Sequence, residues 1–167
     1  LFWKGDDWEM YDSLALDLDY DGGRTIRWNG QSCNGIQTFG RGRGVLLLGT
    51  KGSAIVDRNG FEHYGLDGKL IREAKAPAES ATTGTVGEGA LDVYHAQNFV
   101  DVIRGKSRSL NSPIAEGHIS TTLCHLGNMA YRTDADLTVD PRTGRPSSAA
   151  AMKLWAVDYA PGWGLNA

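Results

Sequence analysis

The sequence predicts an α+β domain, an open and predominantly antiparallel mixed sheet covered on one face by helices. Three observations carry that expectation. Residues 13–29 alternate apolar and polar side chains around Asp21-Gly22-Gly23, the pattern of a half-buried hairpin. About five short strand-like runs then succeed one another before any helical period sets in, an order that favours segregated strands and helices over a doubly wound arrangement. Residues 90–132 finally switch to three- and four-residue spacing, giving two amphipathic helices that need an apolar surface to cover.

At 167 residues the chain is most simply one domain, long enough to bury a core. It is 41% hydrophobic and 22% charged with a net charge of −3. That acidic balance argues against nucleic acid, because neutralising phosphates takes clustered Lys and Arg. No apolar run approaches the length of a membrane span, and no amphipathic segment is basic enough for a lipid surface. Cys33 and Cys124 are the two cysteines; they have no metal-ligand spacing and make no disulfide framework, so free thiols are expected. The chain starts without Met or a signal-peptide pattern and alternates like a strand almost at once. It is therefore expected to be part of a longer protein whose remainder lies upstream. Cytoplasmic and periplasmic settings both stay open.

Residues 1–12 are rich in acids and aromatics. Asp7, Trp8 and Glu9 are candidate sugar contacts, since indoles stack on C–H faces and carboxylates accept from hydroxyls. An anchored, solvated loop explains the same composition. In the first hairpin, Leu14, Leu16 and Leu18 share one strand face while Asp17 and Asp19 share the other, and the return strand sets Thr25, Arg27 and Asn29 against Ile26 and Trp28. Gly40, Gly42 and Gly44 interleave with Arg41 and Arg43. The apolar run Val45–Leu48 follows them, so neither the Walker context nor the dinucleotide strand–turn–helix context is met. Arg41 and Arg43 stay as a flexible basic loop beside an acidic or polyhydroxylated ligand. Residues 53–58, 61–64 and 69–73 read as three further strands with turns at Asn59-Gly60 and Leu66-Asp67-Gly68. Residues 74–89 read as a linker.

The first helix gathers Leu91, His95, Asn98, Phe99, Val102 and Ile103 and stops at Arg104-Gly105. The second has Ser112 as expected N-cap and Pro113 at the first helical position. His118 and His125 lie two turns apart, too far to share a metal without a third element. A short strand at Leu137–Val139, a turn at Asp140–Gly144 and a last helix capped by Ser147 or Ser148 and bearing Met152, Leu154, Trp155 and Tyr159 complete the chain.

Seven stretches add a resemblance. D-D-W-E-M-x-D at 6–12, W-x-G-x-S-C-N-G at 28–35, R-G-R-G-V at 41–45 and G-T-K-G at 49–52 stand in the strand half. H-x-x-N-F-x-D-x-I-R-G at 95–105, N-S-P-I-x-E-G-H-I-S-x-x-L-C-H-L-G-N at 111–128 and Y-x-x-G-W at 159–163 stand in the helical half. Together they resemble the C-terminal half of the glucose–fructose oxidoreductase / inositol dehydrogenase / MocA superfamily, most specifically over His95–Asn128. The resemblance implies that residues 1–167 form the C-terminal substrate-binding and oligomerisation domain of an NAD(P)-dependent oxidoreductase acting on a sugar or polyol. An N-terminal Rossmann domain would hold the nicotinamide, and the open sheet face would meet another subunit in a homo-oligomer.

The glycine fingerprint, the Glu-Lys-Pro-type lysine and the Asp/His pair of that family are missing from these residues. No catalytic, cofactor-binding or metal residue is therefore carried over, and the fragment alone is expected to bind no cofactor and to be inactive. Asp7, Trp8, Glu9, Arg41 and Arg43 are carried over as substrate-side positions. His95, Asn98, His118, His125 and Asn128 are carried over as residues that buttress helix–sheet packing. An NAD-dependent glycosidase of the same superfamily is the second reading, and a non-catalytic carbohydrate-binding or interaction module, suggested by Trp3, Trp8, Trp155 and Trp163, is the third.

Overall fold

The computed structural model describes residues 5, 7, 10–75 and 90–164, with side chains from residue 93 onward in the last segment. Trp8, Glu9 and most of the expected linker lie outside the described residues. The chain divides into two compact units, Leu1–Arg108 and Ser109–Ala167.

Six strands succeed one another in the first unit: β1 (Ser13–Tyr20), β2 (Arg24–Gln31), β3 (Val45–Gly49), β4 (Gly52–Asp57), β5 (Gly60–Tyr64) and β6 (Leu70–Lys75). Each pairing is antiparallel, which makes this an α+β chain with open antiparallel sheets. The strands form two ladders rather than one, a β1–β2 hairpin and a β3-β4-β5-β6 meander. Within the described residues no pair is parallel: the turns at 21–23, 50–51, 58–59 and 65–69 are far shorter than the crossover a parallel pair requires.

The hairpin follows its alternation. Gly22 and Gly23 take positive φ at its tip. Leu14, Leu16 and Leu18 are half-buried while the intervening positions are exposed. On the polar face Asp17 stands directly opposite Arg27, and both guanidinium nitrogens Nε and Nη2 donate to its two carboxylate oxygens at 2.7 and 2.6 Å. That paired geometry depresses the Asp17 pKa and raises that of Arg27.

In the meander, register assigns the faces. Val45, Leu47, Ala54, Val56, Phe61, His63 and Arg72 share one; Leu46, Leu48, Ile55, Asp57, Glu62, Tyr64 and Glu73 share the other. Gly60 opens β5 at φ +137°, and a Cβ there would collide with the Ala74 carbonyl oxygen of β6, so glycine is required. A helix, α1 (Ala90–Ile103), completes the described part of this unit, and the Gly105 at φ +70° ends it as expected. Its stripe is not buried: Phe99 and Ile103 are exposed, as is His95.

The second unit holds α2 (Ile114–Thr133) and the one-turn α3 (Ala149–Met152). The cap of α2 differs from expectation. Pro113, at ψ 150°, is the N-cap, and its carbonyl accepts the first helical bond from Gly117 at 3.1 Å. Ser112 sits one position too early to cap. At the far end Asp134 adopts αL, and the Asp134 and Ala135 N–H groups donate to the Tyr131 and Ala130 carbonyls.

Leu137–Val139 contributes a single bridge, Val139 to Pro146, rather than a strand. Ser148, not Ser147, caps α3, accepting from the Ala151 N–H at 3.4 Å. The last helix is much shorter than its pattern suggested. The N–H groups of Leu154 and Trp155 donate to carbonyls three residues back, which tightens the chain out of the α form, and Trp155 folds against the core.

Burial is concentrated here. Leu126, Met129 and Ala151 form one cluster, with Leu123, Leu137, Val139 and Trp155 packed against it. Arg145 lies over the Trp155 ring at 5.9 Å. His118 and His125 face outward. Because Leu126 is 6% exposed, Leu126→Ala is expected to cost about 2–4 kcal/mol in denaturant unfolding, while Ile119→Ala on the exposed face changes little.

Candidate functional site

Two features of the first unit gather polar side chains. The first is built on the glycine–arginine segment. Thr38 and Arg41 exchange backbone bonds at 3.0 Å, and the two residues between them, Phe39 and Gly40, both have positive φ. This is the I′-type reversal, in which Gly40 is at home and Phe39 is an unusual occupant. The reversal aims Arg41 back at the meander.

There the Arg41 guanidinium is shared. Nε donates to Asp57 Oδ2 and Nη2 to Glu62 Oε1, each at 2.8 Å, and Nη1 donates to the Phe39 carbonyl at 3.3 Å. The other carboxylate oxygens are engaged as well. Asp57 Oδ1 accepts from the Asn59 N–H at 2.8 Å, and Glu62 Oε2 accepts from the Tyr64 hydroxyl at 2.5 Å. Asp57, Glu62 and Tyr64 share a sheet face by register, so alternation alone aligns them under the loop.

The chemistry follows from the charges. Hydrogen bonding from Arg41, then from Tyr64, holds the Glu62 carboxyl below its ordinary value, and the same bonds raise Arg41 and the Tyr64 phenol. Glu62 is thus kept ionised and Tyr64 kept protonated near neutral pH, which suits a clamp rather than proton transfer. Beside this network lies a shallow pocket of about 240 Å³, lined by Arg41, Gly60, Phe61, Glu62, Glu73 and Lys75 among others.

The second feature is a cleft of about 860 Å³ between β2 and the β3–β4 hairpin. Arg24, Arg27 and Asn29 line it from β2, Leu46–Leu48 and Lys51 from the hairpin, and His63 from β5.

The five substrate-side expectations fare differently. Asp7 is exposed, and Trp8 and Glu9 lie outside the described residues. Arg41 is half-buried in the ion-pair network, and Arg43, two residues on, is exposed. Neither arginine lines the larger cleft. Sequence reading passed over Asp57, Glu62 and Tyr64, although their spacing on β4 and β5 places them on one face. It also passed over Arg24 and His63, which carry no motif, and held Lys51 only as part of the G-T-K-G turn; the three meet in the cleft between two separate ladders. Among the described residues no group of three or more His, Cys, Asp or Glu is placed to hold a metal, and no helix is long and apolar enough to cross a membrane.

No protein-family model matches the chain, and searches of curated proteins and of solved structures likewise find no match.

Removing the shared cation should be visible in stability. Arg41→Ala leaves Asp57 and Glu62 without their common partner, and the melting temperature at about pH 7 should fall by several degrees. The deficit has a defined pH dependence. Glu62 has a depressed folded pKa, so its contribution is complete above the unfolded value of about 4.3 and is lost as pH falls through the folded one. Melting curves at about pH 7 and about pH 3 should therefore show the gap between wild type and Arg41→Ala narrowing in acid.

Proposed function

We propose that this chain is the substrate-side and oligomerisation domain of an NAD(P)-dependent oxidoreductase acting on a sugar or polyol, the nicotinamide being held by a Rossmann lobe outside these 167 residues. The carrying observation is the meander itself. Val45, Leu47 and Val56 are 55, 54 and 38% exposed on one face, and Leu46 and Leu48 are 43 and 77% exposed on the other. Apolar rows on both faces of an open sheet suit a domain that is covered by other protein on each side. A companion lobe and a second subunit are the covers this reading supplies. The reaction class comes from the resemblance of the chain's segments to the glucose–fructose oxidoreductase / inositol dehydrogenase / MocA superfamily, whose catalytic elements would lie outside these residues. The α+β order of antiparallel strands followed by helices is compatible with that assignment.

The protein expressed from its complete reading frame, offered a panel of aldoses, ketoses and polyols, is expected to reduce NAD(P)⁺ and to sediment as a dimer or tetramer at micromolar concentration. The 167-residue chain alone should neither retain NAD(H) nor turn over. Hydride transfer by the isolated chain, or a monomeric full-length protein, would overturn the proposal. Cleavage of aryl glycosides with tightly held NAD would move the assignment to the glycosidase branch.

A further inference from the structure

We infer that the cleft between β2 and the β3–β4 hairpin binds a small anionic polyol, a sugar carrying a phosphate or carboxylate group. Acidic residues outnumber basic ones in this chain, 20 to 17. Arg24, Arg27 and Lys51 line the cleft with His63; Asp17 offsets Arg27, and Asp19 accepts from Thr25 at 2.6 Å, which leaves Arg24 and Lys51 as the cations that carry the site's positive charge.

The cations differ in what holds them. Arg27 is matched by Asp17, which fixes it as a rigid part of the wall. Among the described residues Arg24 is bonded to a neutral partner, the Asp21 carbonyl, at 3.4 Å from Nε and 3.3 Å from Nη2. Lys51 stands exposed on the two-residue turn between β3 and β4. Two cations with no carboxylate partner among the described residues, one on each wall of the cleft, set a positive potential between them, and guanidinium and ammonium groups are the side chains that grip phosphate and carboxylate. Asn29, Thr25 and Ser53 add amide and hydroxyl groups for a polyol, and Leu46–Leu48 give an apolar wall for its C–H faces. A volume of about 860 Å³ falls in the range of small-molecule sites. The polyol half of the ligand rests on the proposed function; the anionic half rests on the cleft alone.

Calorimetric titration of the protein expressed from its complete reading frame with glucose phosphate, glucuronate, glucose and inorganic phosphate tests this. At least one of the charged sugars should bind tenfold or more tighter than glucose, with the stronger of the two naming the acidic group. Lys51→Gln and Arg24→Gln should each weaken it severalfold without changing the far-ultraviolet dichroism. Lys51 lies on an exposed turn, so its variant keeps the test meaningful if Arg24→Gln disturbs the hairpin. Equal affinity for glucose and the charged sugars, no binding of either, or binding indifferent to both substitutions would overturn the anionic site. Inorganic phosphate binding as tightly as glucose phosphate would overturn the polyol half. Dinucleotide turnover by the full-length protein is measured separately, so either idea can fail alone.

Discussion

Arg41 is where the irregular part of the first unit is tied to the regular part. One guanidinium serves Asp57 at the end of β4 and Glu62 in the middle of β5, and each carboxylate has a second donor of its own. Such forked, charge-assisted bonds are directional, so they fix the approach of the loop as well as adding attraction. The side chains involved are only partly exposed, at 19% for Arg41 and 10% for Asp57, which limits screening by water. Around this anchor the meander keeps its register: Asp57 meets Gly60, and the close approach of Ala74 excludes any side chain there.

The sheet held by that anchor is unusual in what it leaves uncovered. Its apolar residues stand exposed on both faces, and among the described residues of the first unit only Ile55 and Asp12 are buried. Among the described residues of this unit apolar side chains remain exposed, and the proposed larger assembly would supply the cover they require. The second unit meets its own requirement more locally. Leu126 and Met129, three apart on α2, reach Ala151 on α3 and the side chain of Trp155. Hydroxyls at Ser120, Thr122 and Thr133 bond back to carbonyls one turn earlier, which lets a helix rich in Ser and Thr keep its polar groups satisfied.

Much of the local structure was legible because it depends on neighbours in sequence. The β1–β2 hairpin, the turn at Asn59-Gly60, the stop at Gly105 and the two long helices follow from alternation, glycine placement and helical spacing. Misreadings came where a longer-range partner decided. The GRGRG segment looked like a loose basic loop, yet Gly40 forms a tight reversal and Arg41 is bound to carboxylates 16 and 21 residues away. The last helix had a good apolar pattern, yet Trp155 found the α2 core and the helix closed after one turn. At Pro113 one residue of offset moved the cap, since its ψ of 150° puts proline itself at the cap position and outside the helix.

By itself the amino-acid order determined the α+β class, the first hairpin and the two long helices, because period-two alternation, short glycine turns and helical spacing admit few other arrangements. It also determined the acidic overall balance. Only the folded chain decided which charges meet. Asp57, Glu62 and Tyr64 converge on Arg41 through the register of β4 and β5, and Arg24 of the separate β1–β2 hairpin meets Lys51 and His63 of the meander in one cleft. Coulomb attraction and hydrogen bonding fall off within a few ångströms, so their partners are chosen by three-dimensional neighbourhood and leave no periodic trace in the sequence.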